Sequence, residues 1–102
     1  LAARVARAIT AEGVPARKVY GGKPVYATPS ILEQRTISST GRPFTDPLYL
    51  ERGPKMEYRM GMCPRSEDYL SRCVVVGISP LMTDHDADDT VAAISKVVKA
   101  LV

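Results

Sequence analysis

The stretch Met62-Cys63-Pro64-Arg65-Ser66-Glu67-Asp68-Tyr69-Leu70-Ser71-Arg72-Cys73-Val74-Val75-Val76-Gly77-Ile78 decides the fold, because a helix and a strand meet inside it. Pro64 suits a first helical position, where its missing N–H has no partner to lose. Glu67 and Asp68 follow in the first turn, beside the positive end of the helix dipole, and Arg72 falls at the negative end. Tyr69 and Leu70 are expected to face inward. Cys63 then occupies the helix entrance. A helix N-terminus can activate a thiol, but no His lies nearby in sequence to act as its base, so Cys63 reads as structural. Cys73 to Ile78 is short, β-branched and almost wholly apolar. That pattern predicts a central strand covered on both faces, with Cys73 a buried small hydrophobe.

Working outward, residues 1–12 read as a helix with Leu1, Val5, Ala8 and Ile9 on one face. Gly13 is placed to end it in a left-handed conformation. Val14 to Tyr20 looks extended, with Pro15 near its start. Downstream, Thr83 opens a last helix through a capping box with Asp86. Asp84, Asp86, Asp88 and Asp89 crowd its first turns, and Lys96 and Lys99 sit near its end, both matching the dipole. Its expected buried stripe is Val91, Ile94, Val98 and Leu101, with Val97 beside it.

Between these elements, residues 21–57 form a long loop. Pro24, Pro29, Pro43, Pro47 and Pro54 break any long regular element there. Loops of this length in a small domain are mostly functional or disordered. Tyr20, Tyr26, Phe44, Tyr49 and Tyr58 sit in or flank this one, which favours a loop that packs on something. The resulting fold class is α+β: a small sheet with helices packed on one side, in the order helix, strand, long loop, helix, strand, helix.

Composition narrows the function. The 102 residues suffice for one small domain, and the 45% hydrophobic and 25% charged fractions are ordinary for a globular protein. No apolar run reaches the length of a membrane span. The net charge of +3 comes from scattered cations, not the clustered ones that nucleic acid requires. Residues 1–7 do not form a secretory signal, so Cys63 and Cys73 are expected as free thiols in a reducing compartment. The run Asp84–Asp89, with His85 inside it, lacks the oxygen spacing, central Gly and terminal Glu of a calcium loop. Gly21-Gly22-Lys23-Pro24 is too short for a phosphate-binding loop. The missing initiator Met suggests a piece of a longer chain.

Three stretches together resemble a family. Ala11-Glu12-Gly13-Val14-Pro15-Ala16-Arg17 is similar to a turn into a strand, Tyr58-x-x-Gly61-x-Cys63-Pro64-Arg65-x-Glu67-Asp68 to a helix start, and Pro80-x-x-Thr83-Asp84-x-Asp86 to the entry of a final helix. Their order and spacing resemble the C-terminal small domain of DegT-like sugar aminotransferases, pyridoxal-phosphate enzymes of the aspartate aminotransferase fold. The resemblance spans nearly all of residues 1–102. It implies a cytoplasmic homodimer that transfers an amino group to a keto-sugar or keto-cyclitol, with no nucleic-acid or membrane partner. The cofactor, pyridoxal phosphate, and its catalytic lysine would belong to an N-terminal large domain outside these residues, so no catalytic or metal-binding residue is assigned here and the chain alone would be inactive.

The resemblance further implies that the loop faces substrate, with Tyr20, Lys23 and Tyr26 as substrate-binding candidates. Tyr20 matches a family Tyr. Val19 stands where many members have His, and Tyr26 lies near a second family His position. Packing of both tyrosines and plain solvation of Lys23 are the alternative readings. The alternative to the whole assignment is a stand-alone α/β ligand-binding or regulatory module.

Overall fold

The computed structural model describes all 102 residues. The chain runs through α1 (Ala2–Ala11), β1 (Ala16–Arg17), α2 (Pro29–Leu32), α3 (Pro47–Leu50), α4 (Pro64–Arg72), β2 (Val75–Val76) and α5 (Asp84–Leu101). β1 and β2 pair antiparallel, with Ala16 opposite Val76 and Arg17 opposite Val75. The protein is therefore of mixed α+β class.

α1 ends as its sequence dictates. Gly13 has φ +93°, the Gly13 N–H donates to the Thr10 carbonyl, and the Val14 N–H donates to that of Ile9. This pair of bonds is the Schellman arrangement, and the apolar contact that accompanies it is here Val14 with Ile9, both in the core. The core itself is Val5, Ile9, Val14, Ala93 and Val97, with Ala8, Ala16, Val74, Val76, Ile94 and Leu101 packed around it. It joins α1, α5 and the inner face of the ladder.

Four local expectations need correction. On α5 the buried face centres on Ala93 and Val97, while Val91 and Val98 are 62% and 41% exposed. The apolar stripe of α5 is wider than the one helix it meets, and α1 settles where the small Ala93 allows close approach. β2 is an edge strand, because the sheet has only two strands. Cys73 is accordingly exposed and closes α4 by donating its N–H to the Tyr69 carbonyl. On α4, Tyr69 is exposed beneath the Arg72 guanidinium, 5.3 Å from its ring centre, and Leu70 is half-buried. This helix packs against the turn at 19–22, not against the core. Finally, the extension expected up to Tyr20 stops earlier, in a turn at Val19–Gly22.

The fold is open. Its radius of gyration is 19.5 Å and its extents are 56 × 30 × 21 Å, against about 13 Å for a compact domain of this length. It exposes 7852 Å², where a compact protein of this mass exposes about 5,700 Å². Seven residues are buried, and none of them lies in residues 25–62. That segment is an arm, carrying exposed Leu48, Tyr49, Leu50, Met56 and Met60.

At the start of α5, the Thr83 hydroxyl accepts from the Asp86 N–H at 3.2 Å, and an Asp86 carboxylate oxygen accepts from the Thr83 N–H at 2.8 Å. Thr83→Ala should lower unfolding stability by about 1 kcal/mol, read from urea denaturation. The Thr83 hydroxyl, and after it the Thr83 amide, hold the Asp86 carboxyl below its ordinary 3.8. A depressed folded value means the contribution is present above that ordinary value and is lost as pH falls through the folded one. The acid limb of the stability profile should therefore flatten in Asp86→Asn.

Candidate functional site

The turn after β1 is where local sequence creates the most unusual backbone. Tyr20, Gly21 and Gly22 have φ values of +48°, +66° and +84° in succession. Glycine adopts this region freely; a tyrosine does so rarely. A bulky residue held there is a reason to ask what the conformation achieves. Here it leaves the Tyr20 side chain 70% exposed, while the chain turns back into buried Pro24. Gly22 is constrained as well. A Cβ there would overlap the Lys18 ammonium and lie 3.3 Å from the Leu70 carbonyl, so the turn sits tightly on the end of α4.

Tyr26 is fixed by a different device. Its hydroxyl donates to the Glu67 carboxylate on α4, and the same carboxylate oxygen accepts from the Gly61 N–H at 2.6 Å. One acid thus ties both ends of the arm to the first turn of α4. Loss of solvent and the bond to Glu67 push the Tyr26 phenol up to about 12. Glu67 reads in sequence only as a dipole-matched first-turn acid. Its partner lies 41 positions away, and no local pattern encodes that pairing.

The three candidates therefore have different surroundings. Tyr20 and Lys23 stand exposed on the turn. Tyr26 is half-buried with its hydroxyl engaged. Beside the turn, an open groove of about 480 Å³ runs between α1 and β1, with Ala3, Ala6 and Ala16 as floor and Arg7, Arg17 and Lys18 as rim. None of these three cations takes part in an ion pair. The surface from α1 to Lys23 is thus positive, with one projecting aromatic ring.

His85 and Lys96 are occupied with local structure. His85 Nδ1 lies 3.1 Å from Asp89, and Lys96 bonds Glu12 at 2.8 Å. Cys63 caps α4 without a side-chain hydrogen bond. No three His, Cys, Asp or Glu side chains converge as metal ligands, and no helix is long and apolar enough to cross a membrane.

The residues present do not fit pyridoxal phosphate. A Schiff-base lysine works from a desolvated pocket. Lys23, Lys55, Lys96 and Lys99 are exposed and Lys18 is half-buried over Gly22, so none stands in one. Comparison with known proteins finds no matching family model, no matching curated protein and no matching solved structure.

The Tyr26 tie has a direct spectroscopic signature. In an absorbance titration, one tyrosine should ionise near pH 12; that step should vanish in Tyr26→Phe and move toward 10 in Glu67→Gln. Because the folded value is raised, the stabilisation is present below pH 10 and is lost as pH rises toward 12. An unchanged titration curve in Tyr26→Phe would contradict the assignment.

Proposed function

We propose that this chain is the small domain of a pyridoxal-phosphate-dependent aminotransferase of the DegT-like kind, and that the intact enzyme passes an amino group to a keto-sugar or keto-cyclitol. The observation that carries the reading is the open build. Some 2,000 Å² more surface is exposed than a compact protein of this mass leaves, which fits a domain made to rest against a larger body. The resembling stretches also fall at matching mechanical points: Gly13 at the end of α1, Cys63-Pro64 at the start of α4 and Thr83 at the start of α5. The cofactor is held by the large domain in this reading, since no lysine here suits it. Cytoplasmic location and a homodimer belong to the same proposal.

Within that enzyme, Tyr20 and Lys23 meet the amino-acceptor substrate, and Tyr26 holds the loop that presents them. Tyr20→Phe should then lower kcat/KM for the sugar or cyclitol half-reaction by a few-fold to about tenfold, the loss of one neutral hydrogen bond. Tyr26→Phe should act first on melting temperature. Cys63→Ser should leave turnover within a few-fold, since Ser also suits a helix N-cap. The decisive test is the native product: it should extend well beyond 102 residues and show the absorbance of lysine-bound pyridoxal phosphate, whereas the 102-residue chain mixed with the cofactor should form no stoichiometric, reducible adduct. A native product without that absorbance overturns the reading.

A further inference from the structure

α1 has a second face. Ala3, Ala6, Arg7 and Thr10 recur at spacings of three, one and three, beside the Val5 and Ile9 that enter the core. This face looks onto β1, and the Thr10 hydroxyl spans the two, 2.9 Å from the carbonyls of Ala6 and Ala16. The alanines are too small to fill the space between helix and strand, which leaves the open groove of about 480 Å³. The single Thr10 O–H is engaged by those carbonyls. The free polar groups of the groove are therefore the guanidiniums of Arg7 and Arg17 and the ammonium of Lys18, and no carboxylate lines it.

Charge and burial single out the same place. Residues 1–23 hold five cations against one acid, Glu12, which is itself paired with Lys96; residues 24–102 hold nine cations against ten acids. The net positive charge of the chain is thus concentrated on α1, β1 and the turn. Of the fourteen lysines and arginines, Lys18 alone is not exposed. Its ammonium rests over Gly22, in space that a Cβ would fill, so the left-handed glycine makes its seat. A cation drawn partly out of water is ordinarily paired with an anion. Lys18 has no such partner in the chain.

We propose that the groove between α1 and β1 is a binding site for a phosphorylated small molecule, with its phosphate on Arg7, Arg17 and Lys18 and its apolar part on the alanine floor. A phosphate ester carries about two charges and three free oxygens. Two guanidinium forks and one ammonium match that better than they match a single carboxylate. The shape selects the size. A concave, apolar floor with a few converging polar groups is the build of a small-molecule site, and the volume falls in that range. Nucleic acid needs cations that continue along a track, and neither Arg4 nor Lys23 lines the groove. The site is separate from the Tyr20 turn and does not depend on what the intact protein catalyses.

Calorimetric titration of phenyl phosphate into the native product tests it. The probe should bind more tightly than inorganic phosphate, which lacks the apolar part, and more tightly than benzoate, which lacks the phosphate. Arg17→Gln and Lys18→Gln should each weaken it about tenfold or more, the loss of a hydrogen bond to a charged group. Arg17→Lys should recover only part of that loss, because the ammonium lacks the planar fork. Arg7→Gln gives the same reading from α1, independently of β1. Lys99→Gln, at the far end of α5, should change nothing. Affinity that none of the three groove variants weakens overturns the proposal, as does the absence of saturable binding. Tighter binding of oligonucleotides with increasing length overturns it by making nucleic acid the occupant. A loss in Tyr20→Ala equal to that in Lys18→Gln overturns it by moving the anion to the turn. The pyridoxal-phosphate absorbance is read separately. Groove binding without that absorbance keeps the anion site and removes the aminotransferase, and absorbance with no effect of the groove variants does the reverse.

Discussion

Packing of α1 against α5 is the constraint on which everything else rests. Val5 and Ile9 from one helix meet Ala93 and Val97 from the other, and Val14, delivered by the left-handed Gly13, closes the gap at one end. Each such burial contributes about 1.5–3 kcal/mol for a large side chain, and there are few of them. The two-residue ladder could not stand alone, since an isolated pair of strands is marginal in water. It is held because Ala16, Val74 and Val76 rest on the same cluster. β1 in turn fixes where the Tyr20 turn begins, so the exposed aromatic is positioned, at two removes, by a helix–helix contact.

Glu67 plays a comparable part for the arm. Residues 25–62 bury almost nothing among themselves, and their internal contacts are slight: an edge-on pair of Phe44 and Tyr58, the Arg42–Asp46 bridge and the Gln34 amide donating to the Met56 carbonyl. What brings the arm back to the body is a charge-assisted bond at each of its ends, both to the one carboxylate. Hydrogen bonds to a charged acceptor are about twice as strong as neutral ones. The exposed tyrosines, methionines and leucines beyond that tie are residue types enriched, in the case of Tyr and Met, at protein interfaces.

Much of the fold was legible because it is local. The ends of α1, α4 and α5 follow from Gly13, Pro64 and Thr83, each a residue with a short-range backbone role. What was not legible depends on partners far along the chain. The apolar run at 73–78 speaks of a covered strand, yet sequence cannot say that only one neighbour lies within these residues. The rotation of α5 depends on which of its apolar positions meets α1, and Ala93 is too small to announce itself in a hydrophobic pattern. At the site, the turn at Val19–Gly22 cuts short the extension expected up to Tyr20, and the left-handed Tyr20 and the engagement of Tyr26 with Glu67 are tertiary facts. The exposure of Cys73 follows from the edge position of β2 for the same reason.

The helices that form the core lie far apart in sequence, and the ion pair that bridges them, Glu12 to Lys96, spans 84 positions. Contacts of such separation are the slow ones to form, because the entropy of closing the intervening chain precedes any gain from burial. During synthesis at about 5–20 residues per second, α1 must therefore wait several seconds, without a partner for Val5 and Ile9, until α5 has left the ribosome. Over that interval α1 has no partner to pack on, and Val5 and Ile9 are open to chaperones and to neighbouring chains alike.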